Sequence, residues 1–147
     1  MDKCVKVAAL YIATLKAISL IALHGHWTTR GEMFYGEHLL FERLYKSAFE
    51  DLDTAAEKFI GLFGEDCLNY ELQADLLNKV ILKYKGLEGS PIEMSLAAEK
   101  DFIKFSTDAY KCFEKEQKLS LGLDDMVMSI AGKREEAVYL LQQTLRE

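Results

Sequence analysis

The chain has 147 residues, half of them apolar and 29% charged, with one proline and nine glycines. Such a composition reads as a single globular domain over 1–147 and excludes collagenous, low-complexity and disordered classes. A net charge of −6 gives no general pull towards phosphate or anionic lipid, so nucleic-acid binding would need a local basic patch. Cys4, Cys67 and Cys112 are odd in number, far apart and without a CxxC pair, which argues against a disulfide framework or thiolate zinc and fits a reducing cytoplasm.

Hydrophobic periodicity predicts four long helices. The first runs from about Asp2, a plausible N-cap, to about Trp27. Its stretch Val7 to Leu23 carries Lys16 as the only charge and has apolar residues on nearly every face. Thr14, Ser19, Tyr11 and Lys16 interrupt the run and no small-residue cleavage site follows, so we read a helix sandwiched between neighbours, not an export signal or a membrane span. Thr28 to Gly31 turns the chain. A second helix, from about Glu32 to Phe63, shows Phe34, Phe41, Leu44, Leu52, Ala55 and Phe59 at three- and four-residue spacings, and Gly64 ends it.

A shorter amphipathic helix over 68–84 carries Leu68, Leu72, Leu76 and Val80, closed by Gly86 and Gly89. Ser90, Pro91 and Glu93 then combine an N-cap serine, a proline at the first helical position and a glutamate three residues after the cap. That third long helix is expected to reach about Lys118. Residues 119–122 interrupt the pattern before Asp124 and Asp125 open a fourth, which runs to near the C-terminus. Two helices, a connection with its own short helix, then two more helices make an all-α, ferritin-like four-helix bundle with one crossover.

All three histidines lie between positions 24 and 38, and no Glu-x-x-His occurs anywhere, so the usual ligand pattern of a diiron site inside one bundle is missing. The candidate ligands are His26, then His38, Glu42, Asp53 and Glu57. His26 and His38 flank the turn near Glu32 symmetrically, so an antiparallel hairpin brings them to one height. His38 and Glu42 share a helix face, as do Asp53 and Glu57. Those two pairs are fifteen residues apart, roughly 22 Å along a straight helix at about 1.5 Å per residue, and cannot share an ion within one chain. A two-fold axis near Tyr45 and Lys46 would lay two such helices antiparallel and bring His38 of one copy to Asp53 and Glu57 of the other, giving two identical sites per dimer. Imidazoles and carboxylates without thiolate suit iron, manganese or zinc.

His26-Trp27, His38 twelve positions on, Glu42 four later and the pair Asp53/Glu57 within Leu52-Asp53-Thr54-Ala55-Ala56-Glu57 together resemble the pattern of the Dps-type miniferritins, ferritin-like proteins that oxidise ferrous iron, usually with hydrogen peroxide, and hold the ferric mineral in a dodecameric shell. The resemblance implies that His26 and His38 of one subunit, with Asp53 and Glu57 of its two-fold partner, bind the ferroxidase iron. Glu42 would ligate or support a second iron, and Trp27 would sit beside the site and intercept stray oxidising equivalents. It also implies acidic iron-entry pores near the start of the fourth helix, where Asp124 and Asp125 stand. Many relatives carry a lysine-rich extension that binds DNA. Here only Lys3 and Lys6 precede the apolar run, so DNA binding is not expected.

The principal expectation is therefore an iron-oxidising and iron-storing homo-oligomer. The alternative is a structural or nucleoid-associated shell protein whose metal site is vestigial or holds structural zinc.

Overall fold

The computed structural model describes residues 1–87 and 89–146; Glu88 and Glu147 lie outside the described residues. Five α-helices and one 3-10 turn follow in order: α1 (Lys3–Thr28), α2 (Phe34–Phe63), the 3-10 turn (Glu65–Leu68), α3 (Tyr70–Lys85), α4 (Pro91–Lys115) and α5 (Leu121–Leu145). α1, α2, α4 and α5 form the bundle, and α3 crosses it against α1. The all-α arrangement with a short helix in the crossover is the one expected.

α1 is long and apolar enough to cross a membrane by length and composition, but it is the central helix of the core. Tyr11, Ile12, Leu15 and Ile18 are completely or almost completely buried among α2, α3 and α4. Tyr11 meets Phe59 of α2 and Phe102 of α4 edge-on, with ring centroids 5.3 and 5.1 Å away, a favourable aromatic geometry. Lys16, the one charge in the apolar run, donates to Oε1 of Gln73 at 3.0 Å, and the Gln73 amide nitrogen donates to the carbonyls of Ala9 and Cys67. A buried glutamine on α3 thus satisfies the lysine and ties the crossover to α1. Burial lowers the Lys16 pKa.

The caps explain where elements begin and end. Asp2 accepts from the amides of Cys4 and Val5, and Ser90 from that of Glu93, as expected of N-caps. Gly64 closes α2 with φ of 87°, a left-handed conformation that glycine adopts without a Cβ penalty.

Three boundaries differ from expectation. α2 begins at Phe34, not Glu32, because Gly31 (φ 98°) and the residues after it form a turn and no side chain caps the helix. α4 ends at Lys115, not Lys118. Gln117 takes a left-handed φ of 57°, its N–H donates to the Glu114 carbonyl, and the Lys118 N–H reaches back to the Phe113 carbonyl at 2.9 Å. These bonds end the helix without a glycine. α5 starts three residues before Asp124, because the Ser120 hydroxyl accepts from the Leu123 amide at 3.1 Å and caps it. The crossover helix is also divided: Leu68 belongs to the 3-10 turn, and Asn69 caps α3 through the Leu72 amide.

Candidate metal centre

The corner between α1 and α2 is drawn tight by small residues and a side-chain latch. The buried Thr29 hydroxyl donates to the carboxylate of Glu37. One turn below, Gly25 faces the completely buried ring of Phe41, and a Cβ at Gly25 would lie 2.6 to 2.9 Å from three of its ring carbons. Only glycine lets the two helices approach this closely. Gly25→Ala is therefore expected to destabilise the fold by about 1–3 kcal/mol through overpacking, read as a lower denaturant midpoint, and to displace the adjacent His26.

This approach brings His26 and His38 face to face. Their rings stack with centroids 3.7 Å apart and planes 15° apart. His26 Nδ1 donates to the His38 carbonyl at 2.8 Å, and His38 Nδ1 donates to the His26 carbonyl at 2.7 Å. A carbonyl oxygen can only accept, so each Nδ1 carries the hydrogen, and in the neutral form of either ring the lone pair is then on Nε2. That is the tautomer a metal ligand needs, fixed here by the backbone. Phe34 stacks on His38 at 5.0 Å, and Tyr45 meets His26 edge-on at 5.4 Å.

Glu42 lies one turn beyond His38 and accepts from Lys46 Nζ at 2.9 Å. Lys46, by hydrogen bond and charge, holds the Glu42 carboxyl below the usual carboxylate range, and His26 and His38 add smaller contributions in the same direction. The i,i+4 spacing of Glu42 and Lys46 is visible in the sequence, but Lys46 was expected only as a marker of the two-fold axis, not as the partner of a candidate ligand.

Asp53 and Glu57 are exposed on the same helix, and within one chain they do not join the histidines. α2 runs unbroken from Phe34 to Phe63, which keeps His38 and Asp53 roughly 22 Å apart along its axis. Among the described residues, no cluster of three or more His, Cys, Asp or Glu side chains could hold a metal. At about 100° per residue, however, Leu39, Glu42, Lys46, Phe49, Asp53 and Glu57 fall on one stripe of α2, away from the buried Phe41, Ala48 and Phe59. Leu39 and Phe49 on that stripe are exposed.

Trp27 is 66% exposed at the end of α1, so core packing within one chain does not account for it. His24 is also exposed. Asp124 is half-buried in the first turn of α5 and Asp125 is exposed, both where the dipole of the helix N-terminus favours acids. Cys4 and Cys67 are free and buried, Cys112 is free and half-buried, and burial raises the thiol pKa of the first two.

No protein-family model matches the sequence, and no curated protein matches it. Solved structures do match. Dps from Thermosynechococcus elongatus superposes with a TM-score of 0.83 at 18% identity, over 99% of this chain and 91% of that one. A DPS protein from Vibrio cholerae O1, described as a member of a broad superfamily of ferritin-like diiron-carboxylate proteins, gives 0.80 at 15% identity over 98% and 89%. Dps from Microbacterium arborescens in the high iron form gives 0.77 at 18% identity over 100% and 98%. From end to end, the chain has the ferritin-like fold of the Dps proteins.

Proposed function

We propose that this chain oxidises ferrous iron at sites shared by two copies of itself and stores the ferric product inside an oligomeric shell, dodecameric as in the resemblance noted above, in the cytoplasm. The observation that carries the reading is the reciprocal His26–His38 pair, which leaves an Nε2 lone pair on each ring beside Glu42, while Asp53 and Glu57 lie further along the same exposed stripe. Antiparallel pairing of two α2 helices about an axis near Tyr45 and Lys46 would seat one copy's carboxylates opposite the other's histidines. Exposed Leu39 and Phe49 would then supply apolar contact between the copies.

Iron is the substrate in this reading. Two ferrous ions each give one electron to hydrogen peroxide, the O–O bond breaks, two protons are taken up, and two ferric ions and two waters result. The carboxylates stabilise ferric more than ferrous charge, which favours the oxidised product. The Nδ1 hydrogen bonds prevent the imidazoles from turning, so little reorganisation is needed on binding. Trp27, exposed at the end of α1 next to His26, would intercept stray oxidising equivalents. Asp124 and Asp125 would line the entry pores. Manganese or zinc, which accept the same donors, would compete for the site.

Anaerobic ferrous titration followed by peroxide, read as ferric absorbance together with native mass, tests the proposal. His26→Ala and Asp53→Ala are each expected to slow oxidation by about 100-fold or more, the scale on which ligand or supporting groups act. Wild-type rates in both variants would refute the site.

A further inference from the structure

Beneath the exposed stripe, the centre of the bundle is charged, and this core plays no part in the iron reading. Arg134 of α5, Asp51 of α2 and Glu99 of α4 are each at most 1% exposed. Arg134 Nε lies 3.6 Å from Asp51 Oδ2 and 3.5 Å from Glu99 Oε2, and its Nη2 donates to Ser47 Oγ at 2.8 Å. One guanidinium thus faces two carboxyl groups. Asp51 has a second cation, Lys133 Nζ at 3.4 Å from Oδ1, whose side chain is half exposed.

Among the described residues, Glu99 has no second cation. Both of its oxygens are buried and, among the described residues, accept no hydrogen bond. The remaining polar groups in this core do not supply one. Tyr11 of α1 lies beside Ser106 of α4 and near Asp51 and Arg134, while its hydroxyl and those of Ser95 and Ser106 are themselves unpaired among the described residues. From α3, Tyr84 bonds Asp101, an exposed residue of α4, and does not reach Glu99. An ionised carboxylate in an apolar core that must share one guanidinium with a second carboxylate is heavily penalised, whereas a neutral carboxyl is a small polar group that leaves one positive and one negative charge to pair.

We propose that Glu99 is a proton-binding site of the folded bundle: the chain folds around a neutral carboxyl there, and loss of that proton loosens the core. Burial raises the Glu99 pKa to about 7, against the downward pull of Arg134 and with a further rise from Asp51. The direction of the pH effect follows. Below the unfolded value of 4.5 both states hold the proton and no penalty exists. As pH rises the unfolded chain ionises first, so stability falls until the folded group ionises near 7 and stays reduced above it. The protein is a proton-sensitive device that tightens in mildly acidic medium.

Urea unfolding of the full chain and of Glu99→Gln, at equal concentration from about pH 5 to about pH 8, tests this. Between those limits the wild-type unfolding constant is expected to rise about fifty- to a hundredfold relative to the variant, and the variant is expected to be the more stable at the upper limit. Parallel pH profiles, or a variant less stable than wild type at about pH 8, would overturn the proposal. Should Glu99→Gln fail to fold, the wild-type chain still answers. At about pH 6 its infrared spectrum is expected to keep a protonated-carboxyl band that vanishes on unfolding, and absence of that band refutes the proton.

Discussion

A mixture of His38→Ala and Asp53→Ala chains, unfolded together and reassembled, is expected to oxidise ferrous iron at about one quarter of the wild-type rate, although neither variant alone does so above background. The figure follows from two-fold symmetry. Random pairing gives one mixed dimer in two, and each mixed dimer has one site with both halves intact and one with both halves broken. A site built within one chain, or by a different pairing surface, would give no recovery on mixing. Stopped-flow ferric absorbance on the mixture and on each parent, with the reassembled mass checked, measures this. The control is a mixture of His38→Ala with His26→Ala, which remove the same half, and it should stay inactive. The outcome depends on the geometry of α2, because one straight helix carries both halves at a separation that no side-chain motion can close.

Arg134→Met is expected to cost about 3–5 kcal/mol at neutral pH, the scale for breaking a buried ion pair by removing one partner. Methionine fills much of the space but, among the described residues, leaves Asp51 with only Lys133 and Glu99 with no cation at all. The guanidinium lowers the pKa of both carboxyl groups against the upward push of burial, so its loss raises both. Their ionisation is penalised as pH rises through those values, and the cost should shrink on acidification as protons neutralise them. Chemical denaturation near pH 8 and near pH 5 checks the sign. The double variant Arg134→Met, Glu99→Gln should be less destabilised than the sum of its parts, because the second change removes the carboxyl whose ionisation the first makes more costly.

The parts of this molecule that were legible in the sequence are those governed by local rules. Asp2, Gly64 and the Ser90-Pro91-Glu93 start all act within a few residues of themselves, and all mark the ends they were read to mark. Ser120 was passed over because Gly122 and the pair Asp124/Asp125 suggested that α5 starts later, although a serine before Leu121 supplies the same cap. The left-handed Gln117 carries no sequence signal, since a non-glycine residue is held there by the backbone bonds around it.

At the candidate site, the meeting of His26 and His38 could be foreseen from their symmetry about the turn. Their stacking and exchanged hydrogen bonds could not, because these depend on how closely Gly25 lets α1 and α2 approach. The buried triad was invisible for a related reason. Asp51, Glu99 and Arg134 come from three helices, and a charged residue within an amphipathic pattern is ordinarily read as solvated. Lys16 was noticed as an intruder in an apolar run, but its partner, Gln73, is 57 residues away.

The unbroken course of α2 also limits which changes of length the chain can tolerate. Under the shared-pocket reading, one residue inserted anywhere between His38 and Asp53 would swing everything downstream by about 100° around the axis and push it about 1.5 Å along. Symmetry would repeat the error in the other copy, so a single insertion would empty both pockets together. Exposed positions of α2 away from the stripe can drift, but the fifteen-residue interval acts as a fixed gauge that descendants of this sequence should inherit unaltered.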